Sequence, residues 1–233
     1  MQKIMEQISA IDSSDLLKQL SNIDISVPLR SEGRTKEHCE RWSICRWLST
    51  YPGLNFPVTL MHREKPDFYL RTGNQEIGIE HTEAIPEDYA HATVISEKRN
   101  DKSVVDMSLF KWGQKREANE IYEIASRTKL TGPGWDGDSP EYEWVSAIFE
   151  IAENKTILLR KDDFVKYPTN YLLIYDNLPL PFINLSKASL MLRSDLDSYW
   201  NSGTVFNGIF VQSDALLISF SKNAYETFKT KNA

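Results

Sequence analysis

Lys65-Pro66-Asp67-Phe68-Tyr69-Leu70-Arg71-Thr72-Gly73-Asn74-Gln75-Glu76-Ile77-Gly78-Ile79-Glu80-His81-Thr82-Glu83-Ala84 is the stretch whose reading decides the fold. Phe68 and Leu70 alternate with Asp67, Tyr69 and Arg71. Thr72-Gly73-Asn74 then supplies a turn, and Ile77, Ile79 and His81 alternate with Gly78, Glu80 and Thr82. That period of two predicts a β-hairpin. Because successive side chains point to opposite faces, Glu80 and Thr82 share one face, and pairing brings Asp67 to the same edge. His81 faces the other way and reads as structural. Two converging carboxylates repel and resist desolvation unless positive charge stands between them, and a hard divalent cation is the usual partner. A plainer reading also exists, with Asp67 a turn residue behind a proline and Glu80 on a solvated face.

Working outward, residues 36–48 form a helix with Ile44, Trp47 and Leu48 on one side, stopped at Pro52-Gly53, and Glu40 lies one turn before Ile44 on that inward side. Residues 57–62 read as a strand. Residues 1–34 read as an N-terminal helical arm, with Ile4, Ile8 and Ile11 at helical spacing and Ser14-Asp15 capping a run through Leu16, Leu17 and Leu20. The remainder, 35–233, reads as one domain with an insertion at about 84–140. That insertion carries helices near 86–99 and 111–128, the second turning Ala118, Ile121, Ile124 and Ala125 inward, and then a Gly- and Pro-rich loop at 131–140.

From 141 to 160 an apolar stripe runs through Trp144, Ile148, Ile151 and Leu158, and the helical spacing puts Lys155 on it. A lysine there either snorkels to the helix edge or reaches a polar pocket under the sheet. Residues 171–176 are nearly all apolar, as in a central strand covered on both faces. The long connection before them makes a right-handed crossover. A helix at about 186–200 and a strand pair at 205–211 and 215–220 close the domain.

The 233 residues are 41% hydrophobic and 26% charged, with net charge −6. A chain of that length builds a full core, and its charge attracts no polyanion as a whole, so any nucleic acid must meet local basic patches. Arg30, Arg34, Lys36, Arg41 and Arg46 form one cluster; Lys98, Arg99, Lys102, Lys111, Lys115 and Arg116 form another. Cys39 and Cys45, on different faces of a single helix, predict no disulfide. No apolar run approaches the roughly 18 residues that span a bilayer, and the first residues have no signal core, so a cytoplasmic protein without membrane association is expected.

Helix, three strands, helix and strand, with an acid on the first helix, Pro66-Asp67 opening the second strand and Glu80-His81-Thr82 in the third, resembles the PD-(D/E)xK, or restriction-endonuclease-like, nuclease superfamily. The resemblance covers about 35–177. It implies an α/β (α+β) fold with a central mixed sheet flanked by helices. It also implies a magnesium- or manganese-dependent nuclease acting on DNA, more an endonuclease than an exonuclease. Asp67 and Glu80 are the implied metal ligands, with Glu40 as the helix acid and Glu37 as its alternative. Thr82 stands where the family's lysine is found. In some members that lysine moves to the following helix, which points to Lys155 ahead of Lys98 and Lys102. Proteins with this core serve in restriction, phage defence, repair and mobile elements, and a homodimer or partner protein suits cleavage of both strands. Since Thr82 supplies no cation, an inactive nuclease-like module that binds nucleic acid or protein is the alternative expectation.

Overall fold

A computed structural model describes residues 7–99 and 102–230. Its framework is an open mixed sheet of eight strands in sequence order: β1 (Gln7–Ala10), β2 (Val58–His62), β3 (Phe68–Thr72), β4 (Gln75–Ala84), β5 (Thr169–Asp176), β6 (Gly208–Ser213), β7 (Leu216–Phe220) and β8 (Tyr225–Lys229). Neighbouring strands run antiparallel except for β4–β5 and β5–β6, which are parallel. Six α-helices are found among the described residues: α1 (Ser13–Leu20), α2 (Lys36–Thr50), α3 (Glu87–Arg99), α4 (Ala118–Ala125), α5 (Ser139–Leu159) and α6 (Leu185–Trp200).

Alternation along the strands sorts the core into two layers. Phe68, Leu70, Ile77, Ile79 and Leu173 pack with Ile44, Trp47 and Leu48 of α2 and with Leu16 and Leu20 of α1. Ala84, Leu172, Ile174, Ile209 and Val211 pack on the other face against Trp144, Ile148 and Ile151 of α5 and Leu192 and Leu196 of α6. The near-continuous apolar run in β5 is thus explained, because Leu172, Leu173 and Ile174 are buried on alternate faces.

Pairing of Phe68 with Ile79 and Leu70 with Ile77 sets the hairpin, and Gly73 at φ 57° makes its turn. Glu80 and Thr82 lie opposite Leu172 and Ile174 of β5 and so face α5, whereas His81 faces α2.

Three local expectations are corrected. Residues 7–10 form an edge strand rather than a helix: Ile8 and Ala10 are buried between exposed Gln7 and Ser9, and Ile11, read as helical, is 76% exposed. Ile4 lies outside the described residues. Helix α1 is capped by Asp12, whose side chain accepts the Asp15 N–H, rather than by Ser14-Asp15. The helix expected over 111–128 begins only at Ala118, which is exposed, because Gly113 takes φ 76° and Glu117 is an extended N-cap. Strand β8, with little burial on either face, escaped the reading altogether. Cys39 and Cys45 are both buried and are not joined by a disulfide. No described helix is long and apolar enough to cross a membrane.

Candidate active site

Asp67 ends the turn before β3 and is buried. Its Oδ2 accepts the backbone N–H of His81 at 2.7 Å, which ties it across the hairpin to the residue after Glu80. Its Oδ1 accepts from Lys36 Nζ at 2.6 Å, and the same ammonium lies 2.8 Å from Glu40 Oε1. Lys36 and Glu40 are one turn apart at the start of α2, a helix opened by a capping box between Thr35 and His38. His62 of β2 completes the group, with Nε2 3.1 Å from Glu40 Oε2.

Glu80 is buried on the α5 face of β4. Lys155 Nζ reaches its Oε1 at 2.8 Å and lies 3.4 Å from the His81 carbonyl oxygen. The lysine that interrupts the apolar stripe of α5 therefore reaches a polar pocket under the sheet. Burial pushes the Glu80 carboxyl above its ordinary pKa, and the Asp67 charge adds to the rise against the opposing pull of Lys155 and Lys36. The bond of Asp67 to the His81 N–H sets its carboxylate beside the residue that follows Glu80.

Beside these carboxylates opens a cleft of about 330 Å³ lined by Arg30, Arg34, Lys36 and Lys155 together with Thr35, Thr82, Cys39, His81 and Glu83. Glu83 Oε1 accepts from Arg30 at 2.6 Å, Arg34 at 2.8 Å and the Asn177 side chain at 2.7 Å. With that oxygen engaged three times, Glu83 anchors two guanidinium groups in the lining of the cleft. Thr82 lines the cleft with no cation of its own.

Asp67, Glu80, Lys155 and Glu40 are therefore brought together, whereas Glu37 is exposed on the first turn of α2. Lys98 and Lys102 are exposed and do not line the cleft. The first basic cluster divides: Arg46 stacks over Trp42 at 4.3 Å and donates to the Asp214 carbonyl and Thr230 hydroxyl, away from the cleft. In the second cluster Lys115 pairs with Glu87 and Arg116 with Glu120. Sequence reasoning missed His62 altogether and missed the bridging place of Lys36; no local pattern marks either one.

Comparison with protein-family models, curated proteins and solved structures gives no match. The chemistry must be read from the site itself.

Among the described residues, no three His, Cys, Asp or Glu side chains converge as a ready metal cage. The buried carboxylates are instead compensated by two ammonium groups. Glu80 Oε1 and the His81 carbonyl face one point, where Lys155 Nζ lies, with Asp67 beside them. Asp67, Glu80 and the His81 carbonyl are the oxygen donors here that could hold a hard divalent ion.

Proposed function

We propose that this protein is a metal-dependent phosphodiester hydrolase with a restriction-endonuclease-like core (α2, β2, β3, β4, α5, β5), and that nucleic acid, DNA in the first instance, is its substrate. The observation that supports the reading is that buried Asp67, at the entry to β3, hydrogen-bonds the backbone N–H next to buried Glu80 of β4, while Lys155 of the crossover helix, which pairs with Glu80, lines a cation-rich cleft.

Asp67 and Glu80 would hold the divalent ion, assisted by the His81 carbonyl. When bound, such an ion lowers the pKa of a coordinated water and draws charge from a phosphoryl oxygen. Lys155 stands against Glu80 and stabilises the negative charge that grows on the phosphate in the transition state, doing from α5 what Thr82 cannot do from β4. Thr82 offers a hydroxyl to the attacking water or to a non-bridging oxygen. Arg30 and Arg34, held by Glu83, bind flanking phosphates, since planar guanidinium groups grip phosphate oxygens in pairs. Glu40 belongs to the site through Lys36.

Plasmid and oligonucleotide cleavage in magnesium or manganese tests the reading. Asp67→Ala and Glu80→Ala each lose activity by two or more orders of magnitude, and Lys155→Ala by roughly a hundredfold, the scale of removing one transition-state donor, with circular dichroism unchanged. Full cleavage by Glu80→Ala contradicts it. One observation favours a second reading: the Lys36–Asp67–Glu40 and Lys155–Glu80 pairs already compensate the carboxylates. An inactive module that binds through the cleft predicts no thermal shift on adding manganese, whereas an intact site gains stability.

A further inference from the structure

Lysines as a rule bury their aliphatic stem and keep the ammonium in water. Lys36 instead turns its ammonium onto two buried carboxylates. Its side chain is 61% exposed, yet Nζ lies 2.6 Å from Asp67 Oδ1 and 2.8 Å from Glu40 Oε1, on carboxylates each only 3% exposed. Fixing a long side chain in that pose costs rotamer freedom, so the attraction of two buried carboxylates outweighs it. The two acids reach the point from different elements, Asp67 from the entry to β3 and Glu40 from the second turn of α2, and His62 engages the other oxygen of Glu40. Lys36 donates a hydrogen bond to Asp67 and is ion-paired with Glu40.

The site thus has two places that demand positive charge. One lies at Asp67, Glu80 and the His81 carbonyl, where Lys155 pairs with Glu80 alone and leaves Asp67 unbridged to it. The other lies between Asp67 and Glu40, and Lys36 already fills it. We propose that Lys36 is a built-in cation standing where a second divalent ion would otherwise be held, so that the site takes a single metal ion. Resting on the hydrolase reading above, this makes Lys36 a positioning residue: it neutralises Asp67 and Glu40 and orients Asp67 toward Glu80. Glu40 is then a partner of the lysine rather than a metal ligand.

Equilibrium titration of the full chain with Mn²⁺, followed by calorimetry and by electron paramagnetic resonance, tests the inference apart from activity. The parent binds one ion per chain, Lys36→Met binds two with the spectrum of a spin-coupled pair, and Lys36→Arg returns to one. Lys36→Gln replaces the methionine variant if that one melts early. Glu40→Gln keeps the single ion and Glu80→Gln loses it. Two ions in the parent, one in the charge-removing variants, or loss of the ion in Glu40→Gln overturns the inference while leaving a metal site in place. No ion in any of these proteins removes the hydrolase reading itself, and this inference with it.

Discussion

His81 sits under α2 with its Nε2 3.0 Å from the Ser43 hydroxyl, where the fold leaves no room for a charge. Burial pulls its pKa from 6.5 down to about 3, although the nearby Asp67 charge pushes the other way. The sign follows from proton counts. Below pH 6.5 the unfolded chain takes up a proton that the native chain refuses, so native stability falls as the pH drops from 6.5 toward about 3. The slope from this one group is at most about 1.4 kcal/mol per pH unit. Urea unfolding of the parent and of His81→Asn across that range checks it: the variant's stability declines less steeply, and parallel curves contradict the assignment. The opposed faces of Glu80 and His81 were legible because strand alternation is strict. Lys155 was legible as a charge on an apolar stripe. Lys36 was not, because an i,i+4 pair with Glu40 looks like any exposed helix pair and Asp67, its second partner, lies 31 residues away. The same holds for His62, 22 residues from Glu40.

At the scale of elements, the segment between β4 and α5 has a small core of its own. Ala92 of α3, Phe110, and Ile121, Ile124 and Ala125 of α4 are buried together, with Tyr89 and Ile95 packed against them. That cluster is separate from the two layers flanking the sheet. Phe110→Ala therefore loosens this unit by about 3–5 kcal/mol, the usual cost of emptying a buried phenyl site. Hydrogen exchange speeds up over α3 and α4 while β4, β5 and α5 keep their protection. Equal loss of protection in β5 contradicts a separate unit. Helix α3 was readable from its sequence, whereas α4 was drawn too long because neither Gly113 nor the extended Glu117 interrupts its apolar spacing. The misreading of β1 has a similar cause: Ile4, Ile8 and Ile11 satisfy helical spacing, but Ile8 and Ala10 obey the period of two once β2 offers Leu60 and Val58 as partners. Strand β8 carries so little burial that no pattern could select it.

Across the whole molecule, a net charge of −6 surrounds a cleft lined by four cationic side chains. Long-range attraction of a polyanion is therefore weak, and the proposed hydrolase would hold its phosphates through the cations of the cleft. The sheet serves that arrangement. Its antiparallel half carries His62 and, at the entry to β3, Asp67; the parallel junction of β4 and β5 presents Glu80 toward α5, and α2 on the opposite face brings Lys36 and Glu40 to Asp67 and His62. The central claim is that these elements meet to hold one hard divalent ion on Asp67 and Glu80. Anomalous diffraction from crystals soaked in manganese tests it most directly. The account predicts a peak roughly 2.0–2.2 Å from oxygens of both carboxylates, with Lys155 drawn back from Glu80. No peak at Asp67 and Glu80, with Lys36 and Lys155 still seated on their carboxylates, contradicts it.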